Sequence, residues 1–160
     1  MNLGQKITPD EEAYVHFMQC IQSLNNAWAY LKAIRAPEQK SAFTAAAFRL
    51  ALVEYGKPYR LSYGIHKKYK LPPDFLSGDD VALHDEILTL RDRVLAHSDL
   101  NVMDAKVSVP AYPGKPILAA NSEPSLPDCD SIIGLIERTL DKMYLKRAKL
   151  EKALPQNTTV

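Results

Sequence analysis

The chain has 160 residues, 46% hydrophobic and 24% charged, and its 20 Lys and Arg against 19 Asp and Glu leave a net +1. That is the composition of a single globular domain, and it excludes both a uniformly basic nucleic-acid coat and an acidic disordered tail, so any phosphate-binding surface has to be local. Cys20 and Cys129 are too few for a disulfide framework or a cysteine-only zinc site and read as free buried thiols of a reducing compartment.

Met1 to Lys6 lack the apolar core of a signal peptide, and no apolar run nears the roughly 20 residues of a membrane span. A cytoplasmic location without membrane contact is therefore expected. Thr8-Pro9-Asp10-Glu11 then reads as a helix start. It offers a capping hydroxyl, Pro in the first turn and acids near the positive helix end. From Asp10 to Ala36 there is neither Gly nor Pro. Val15, Met18, Ile21 (or Gln22), Asn25, Trp28 and Leu31 recur at three- and four-residue steps, with Phe17, Leu24 and Ala27 beside them. This predicts a long amphipathic helix ended by Pro37.

A second helix is predicted from about Glu38 to Tyr55, with Phe43, Ala46, Ala47, Leu50 and Val53 or Glu54 inward. Gly56-Lys57-Pro58 stops it. Lys57 to Gly78 reads as a tyrosine-rich connector with turn signals at Pro72-Pro73 and Ser77-Gly78. The third helix is expected from Asp79 or Asp80 to Leu100, with Leu83, Ile87, Leu90 and Val94 within about 60° of one another.

Asn101 to Pro127 changes character. Lys106-Val107-Ser108-Val109 alternates polar and apolar, and Pro116-Ile117-Leu118-Ala119 can pair with it across Tyr112-Pro113-Gly114, predicting a two-stranded flap. The last helix is predicted from Asp128 to Leu154, with Ile133, Ile136, Leu140, Met143, Arg147, Leu150 and Leu154 near heptad spacing. Pro155 to Val160 is expected to be a frayed tail. The chain as a whole, residues 1–160, reads as one all-α four-helix bundle with a small β-hairpin flap between the third and fourth long helices.

Chemistry concentrates at the end of the third helix, in Leu90-Arg91-Asp92-Arg93-Val94-Leu95-Ala96-His97-Ser98-Asp99. An Arg, a polar residue directly after it, and a His following an Ala late in a bundle helix resemble the signature of HEPN domains, whose Arg and His are separated by four to six residues. Arg91 and His97 have five between them, and Asp99 after the His resembles the abortive-infection branch. The resemblance implies metal-independent RNA cleavage without a cofactor, by a homodimer that brings two such motifs together. It implies a catalytic role for Arg91, Asp92 and His97. Arginine stays charged and can grip phosphate through its planar fork, while an imidazole titrating near neutrality can give or take a proton. Asp92 would orient a basic group or water. On an ideal helix Arg91 and His97 lie about 120° apart and about 9 Å along the axis, so they flank the apolar stripe. Two routes let them act together: the helix ends or kinks before His97, or a second subunit supplies one of them. A toxin or phage-defence effector with a cognate antitoxin protein fits this reading. The alternative is a non-catalytic HEPN-like bundle that binds a partner protein or nucleic acid, with His97 as a core or capping residue.

RNA contact is expected elsewhere as well. Lys57, Arg60, Lys67, Lys68 and Lys70 fall in a stretch without acid between Glu54 and Asp74, interleaved with Tyr55, Tyr59, Tyr63 and Tyr69, and Arg93 adds a cation on the third helix. Cations can track phosphates while aromatic faces stack on unpaired bases; Tyr59 is the stacking candidate. The competing reading is a connector packed on the bundle with solvated lysines. Lys142, Lys146, Arg147, Lys149 and Lys152 form a second basic cluster that equally suits a helix C-terminus. There is no Gly-rich phosphate loop and no paired Glu-x-x-His motif. His84-Asp85-Glu86 and His16 do not make a metal-ligand spacing.

Overall fold

The computed structural model describes residues 7–35, 42–95, 104–108, 118–122 and 128–154. Among them are four long helices, α1 (Pro9–Ile34), α2 (Ala42–Gly56), α3 (Val81–Leu95) and α4 (Cys129–Ala153). They pack in the order α3–α2–α1–α4, so α1 and α2 form the centre. No helix among the described residues is long and apolar enough to cross a membrane.

The helix starts follow their local chemistry. Thr8 accepts from the Glu11 N–H at 3.2 Å, and Glu11 Oε2 accepts from the Thr8 N–H at 2.7 Å, with Pro9 at the first helical position. This reciprocal box satisfies two amides that the helix itself leaves open. Asp128 caps α4 by accepting from the Ser131 N–H at 3.1 Å.

The core is built from Ile21, Leu24, Ala27 and Leu31 of α1, Phe48, Ala51, Leu52 and Tyr55 of α2, Ile87 and Leu90 of α3, and Ile132, Ile133, Leu135, Ile136, Leu140 and Met143 of α4. Two of the expected faces are rotated. On α1, Val15 is 43% exposed, while Asn25 and Trp28 sit half-buried on the α4 seam, donating to Tyr144 and Glu137 at 2.9 and 2.8 Å. On α2, Leu50 and Ala46 face outward and Phe48, Ala51, Leu52 and Tyr55 inward, because apolar residues occur on every side of this segment. Arg147 of α4 leaves the core row and pairs with Glu151 at 2.7 Å, which also accepts from the Tyr14 hydroxyl.

The 57–78 stretch is more ordered than a connector. A 3-10 turn, Lys57–Tyr59, continues from α2. Strands β1 (Ser62–Tyr63) and β2 (Lys68–Tyr69) then pair antiparallel, and 3-10 turns Pro73–Phe75 and Gly78–Asp80 lead into α3. So short a ladder needs outside support. Glu12 of α1 supplies it: the residue is 4% exposed, and its carboxylate accepts from the Ile65 N–H, the His66 N–H at 2.9 Å and the Tyr69 hydroxyl at 3.2 Å. Gly64 is required there, since a Cβ would sit 2.7 Å from both the Glu12 carboxyl carbon and the Lys67 carbonyl oxygen. The Leu71 N–H donates to the Pro58 carbonyl at 2.8 Å and returns the hairpin to the 3-10 turn.

The expected flap is present as β3 (Asp104–Ser108) and β4 (Leu118–Ser122), antiparallel, with Val107 opposite Ala119 and Ser108 opposite Leu118. The third helix is described only to Leu95, and its first turn is 3-10 rather than α.

Candidate functional site

Arg91 and Asp92 stand next to one another on α3, both reaching the surface near the end of α2. The Arg91 stem lies along Gly56, where a Cβ would meet its Nε at 3.2 Å and Cδ at 3.3 Å. A side chain here would push the arginine stem away by a few tenths of an ångström. Among the described residues Arg91 Nε has no hydrogen-bond partner there, while Nη1 donates to Asp92 Oδ1 at 2.8 Å. The arginine is thus held along its stem, with the fork at the surface.

Asp92 has a second partner that its place in the sequence does not reveal. Arg60, just beyond the 3-10 turn Lys57–Tyr59, donates through Nη2 to Asp92 Oδ2. Hydrogen bonding from Arg91, assisted by Arg60, holds the Asp92 carboxyl below its ordinary range. At neutral pH Asp92 is therefore an anion between two guanidinium groups. It orients them, and it is a poor proton acceptor. Arg60 and Asp92 are each about half exposed, so their ion pair contributes at most about 1 kcal/mol to stability. Its consequence is the placement of charge: two cations on one anion leave a net positive spot at the surface.

Around this spot the expected RNA-contacting residues separate into groups. Lys57, Arg60, Lys67, Lys68 and Arg93 are exposed. Lys57 pairs with Glu54, and Lys67 and Lys68 lie over the Tyr69 and Tyr63 rings at 5.7 and 5.1 Å. Tyr63 is 73% exposed and presents a ring at the hairpin surface. Tyr59 does not fill the stacking role expected of it. It is 4% exposed, packed edge-on against His84 at 4.4 Å between ring centroids and tilted on Tyr55 at 5.4 Å. The 3-10 turn swings this ring into the core while it keeps Lys57 and Arg60 outside.

His84 is also a core residue. Its Nδ1 pairs with the Tyr55 hydroxyl at 2.7 Å, and burial lowers its pKa. Among the described residues no three His, Cys, Asp or Glu side chains gather as metal ligands would. His97 lies outside the described residues.

A groove of about 400 Å³ opens beside Arg60. It runs between α1, the β1–β2 hairpin and the 3-10 turn Pro73–Phe75, and Lys146 of α4 reaches it from the far side. Sequence reasoning saw Lys57, Arg60, Lys70 and Lys146 as members of two distant clusters. The signal missed was Glu12, a buried acid on an otherwise solvated helix turn, which folds the hairpin back over α1 and so makes the groove. No protein-family model, no curated protein and no solved structure matches this chain.

Proposed function

We propose that this protein acts on RNA as a metal-independent endoribonuclease of HEPN type, with Arg91 and His97 as the reacting pair and Asp92 as the orienting residue. The observation that carries the RNA part is the Arg60–Asp92–Arg91 arrangement. It joins the basic 57–70 stretch to the arginine of the HEPN-like motif, so a strand lying on the hairpin lysines would bring a phosphate to Arg91. The Arg91 fork would stabilise charge developing on that phosphate, and Arg60 would hold the flanking one. The imidazole of His97 would supply the proton transfer that Asp92, ionised and doubly paired, is unsuited to make. A homodimer would set a second Arg91/His97 pair across the same seam, in the manner of a toxin or phage-defence effector with an antitoxin partner.

The test is cleavage of single-stranded RNA by purified protein in the presence of a chelator. His97→Ala should abolish cleavage while RNA binding and helix content remain. Cleavage that survives this substitution would remove His97 from the mechanism. The second reading, a non-catalytic RNA-binding bundle, is favoured by the mutual satisfaction of Arg91 and Asp92. It predicts RNA binding without cleavage in the unmodified protein.

A further inference from the structure

The groove beside Arg60 has two chemical characters that no single simple ligand type satisfies. Its walls are carbon: Phe17 of α1 and Phe75 meet with ring centroids 5.8 Å apart, and Leu71 and Ala13 line it beside them. Cys20, also in the lining, adds no charge, because burial pushes its thiol up to about 11. The rim is cationic. Lys57 and Arg60 come from the turn after α2, Lys70 from the strand end after β2, and Lys146 from α4, with Asp74 the one acid among the described lining residues. Lys57 and Arg60 already have carboxylate partners in Glu54 and Asp92, so Lys70 and Lys146 carry most of the charge offered to a ligand.

A neutral apolar ligand would make no use of the ammonium groups on the rim. An inorganic anion would leave the aromatic walls in water. We propose that the groove binds a small amphipathic anion, an apolar body of one or two rings seated against the wall that Phe17 and Phe75 form together, with its acidic head toward Lys70 and Lys146. About 400 Å³ falls within the range of small-molecule sites, roughly 300–1,000 Å³. The groove shares residues with the RNA reading: Lys70 belongs to the basic 57–70 stretch, and Arg60 both lines the groove and pairs with Asp92, so a bound head group could draw it from Asp92.

The probe is 1-anilinonaphthalene-8-sulfonate, titrated by calorimetry into the full chain beside its uncharged parent 1-anilinonaphthalene. One site per chain is expected, with the parent at least about tenfold weaker. The Lys70→Glu/Lys146→Glu variant changes only exposed residues and should keep its helix content while losing at least about tenfold in sulfonate affinity. Saturating sulfonate should also slow alkylation of Cys20 in a Cys129→Ser background, because Cys20 lines the groove. Equal affinity for the two probes, unchanged affinity in the charge variant, or an unprotected Cys20 would each overturn the assignment. Displacement of the sulfonate by oligouridylate, with the same loss in the charge variant, would make the groove a strand path and overturn it as well.

Discussion

Asp80 fastens the start of α3, the helix that carries Arg91 and Asp92, to α4, and its removal has a calculable cost. It is 4% exposed. Arg138 Nε donates to its Oδ2 at 2.9 Å and Nη2 to its Oδ1 at 2.5 Å, and the Ser77 hydroxyl donates to Oδ2. The Arg138 hydrogen bonds outweigh burial and hold the carboxyl at about 2, against an ordinary 3.8. That gap corresponds to about 2.5 kcal/mol in full. The Arg138 side chain is 54% exposed, so solvent screening reduces the expected contribution to about 1–2 kcal/mol. Because the folded-state pKa is depressed, this stabilisation is present above about pH 4 and is lost as pH falls through about 2. Asp80→Asn should therefore cost about 1–2 kcal/mol at pH 7, roughly 2–8 °C in Tm, and about half of that difference should be gone at pH 3. Urea unfolding of both proteins at pH 7 and pH 3 measures it. A difference that is absent at pH 7, or equal at the two pH values, would refute the reasoning.

Tyr55→Phe and Tyr59→Phe should separate, although both rings are buried in one cluster. Tyr55→Phe leaves His84 Nδ1 buried without its 2.7 Å partner and should cost about 1–3 kcal/mol, whereas the Tyr59 hydroxyl meets no partner at hydrogen-bond geometry among the described residues and its removal should cost less; equal losses in thermal unfolding would contradict this. Gly64→Ala should detach the hairpin turn from Glu12 and speed amide exchange at Ile65 and His66 by at least about tenfold, with the core amides of α1 unchanged; unaltered exchange would show that the turn tolerates a Cβ. Cys20, held protonated by burial, should react with iodoacetamide at pH 7.5 about a hundredfold more slowly in the folded than in the unfolded chain, and comparable rates would contradict the burial.

The helices were legible because their signals are local. A capping hydroxyl, a Gly-free run and a proline stop mark α1, and alternation around Tyr112-Pro113-Gly114 marks the β3–β4 pair. The faces were less legible where apolar residues crowd all sides. In α2 the alanines drew the expected inward face onto Leu50 and left Phe48 out of it, and only packing against α1 and α3 decides between them. The β1–β2 hairpin was not legible at all, since its stability comes from Glu12, some 50 residues earlier, rather than from its two-residue strands. The Arg91–Asp92 pair was visible as neighbours in sequence. Arg60 was visible as a basic residue, but its attachment to Asp92 is a property of the turn after α2 and of Gly56, which lets Arg91 lie against that turn's root. Tyr59 misled because a tyrosine among lysines looks the same whether its ring points to a base or to a core histidine.

The central claim, that Arg60 and Arg91 form one phosphate-binding surface around Asp92, is tested most directly by the salt dependence of RNA binding. Single-stranded oligouridylate binding would be followed by fluorescence anisotropy across a range of salt for the unmodified chain, Arg60→Gln and Arg91→Gln. Each variant should weaken binding and reduce the slope of log K against log salt by about 0.7, the release of one phosphate contact. Identical slopes and affinities in all three proteins would mean that neither arginine meets a phosphate.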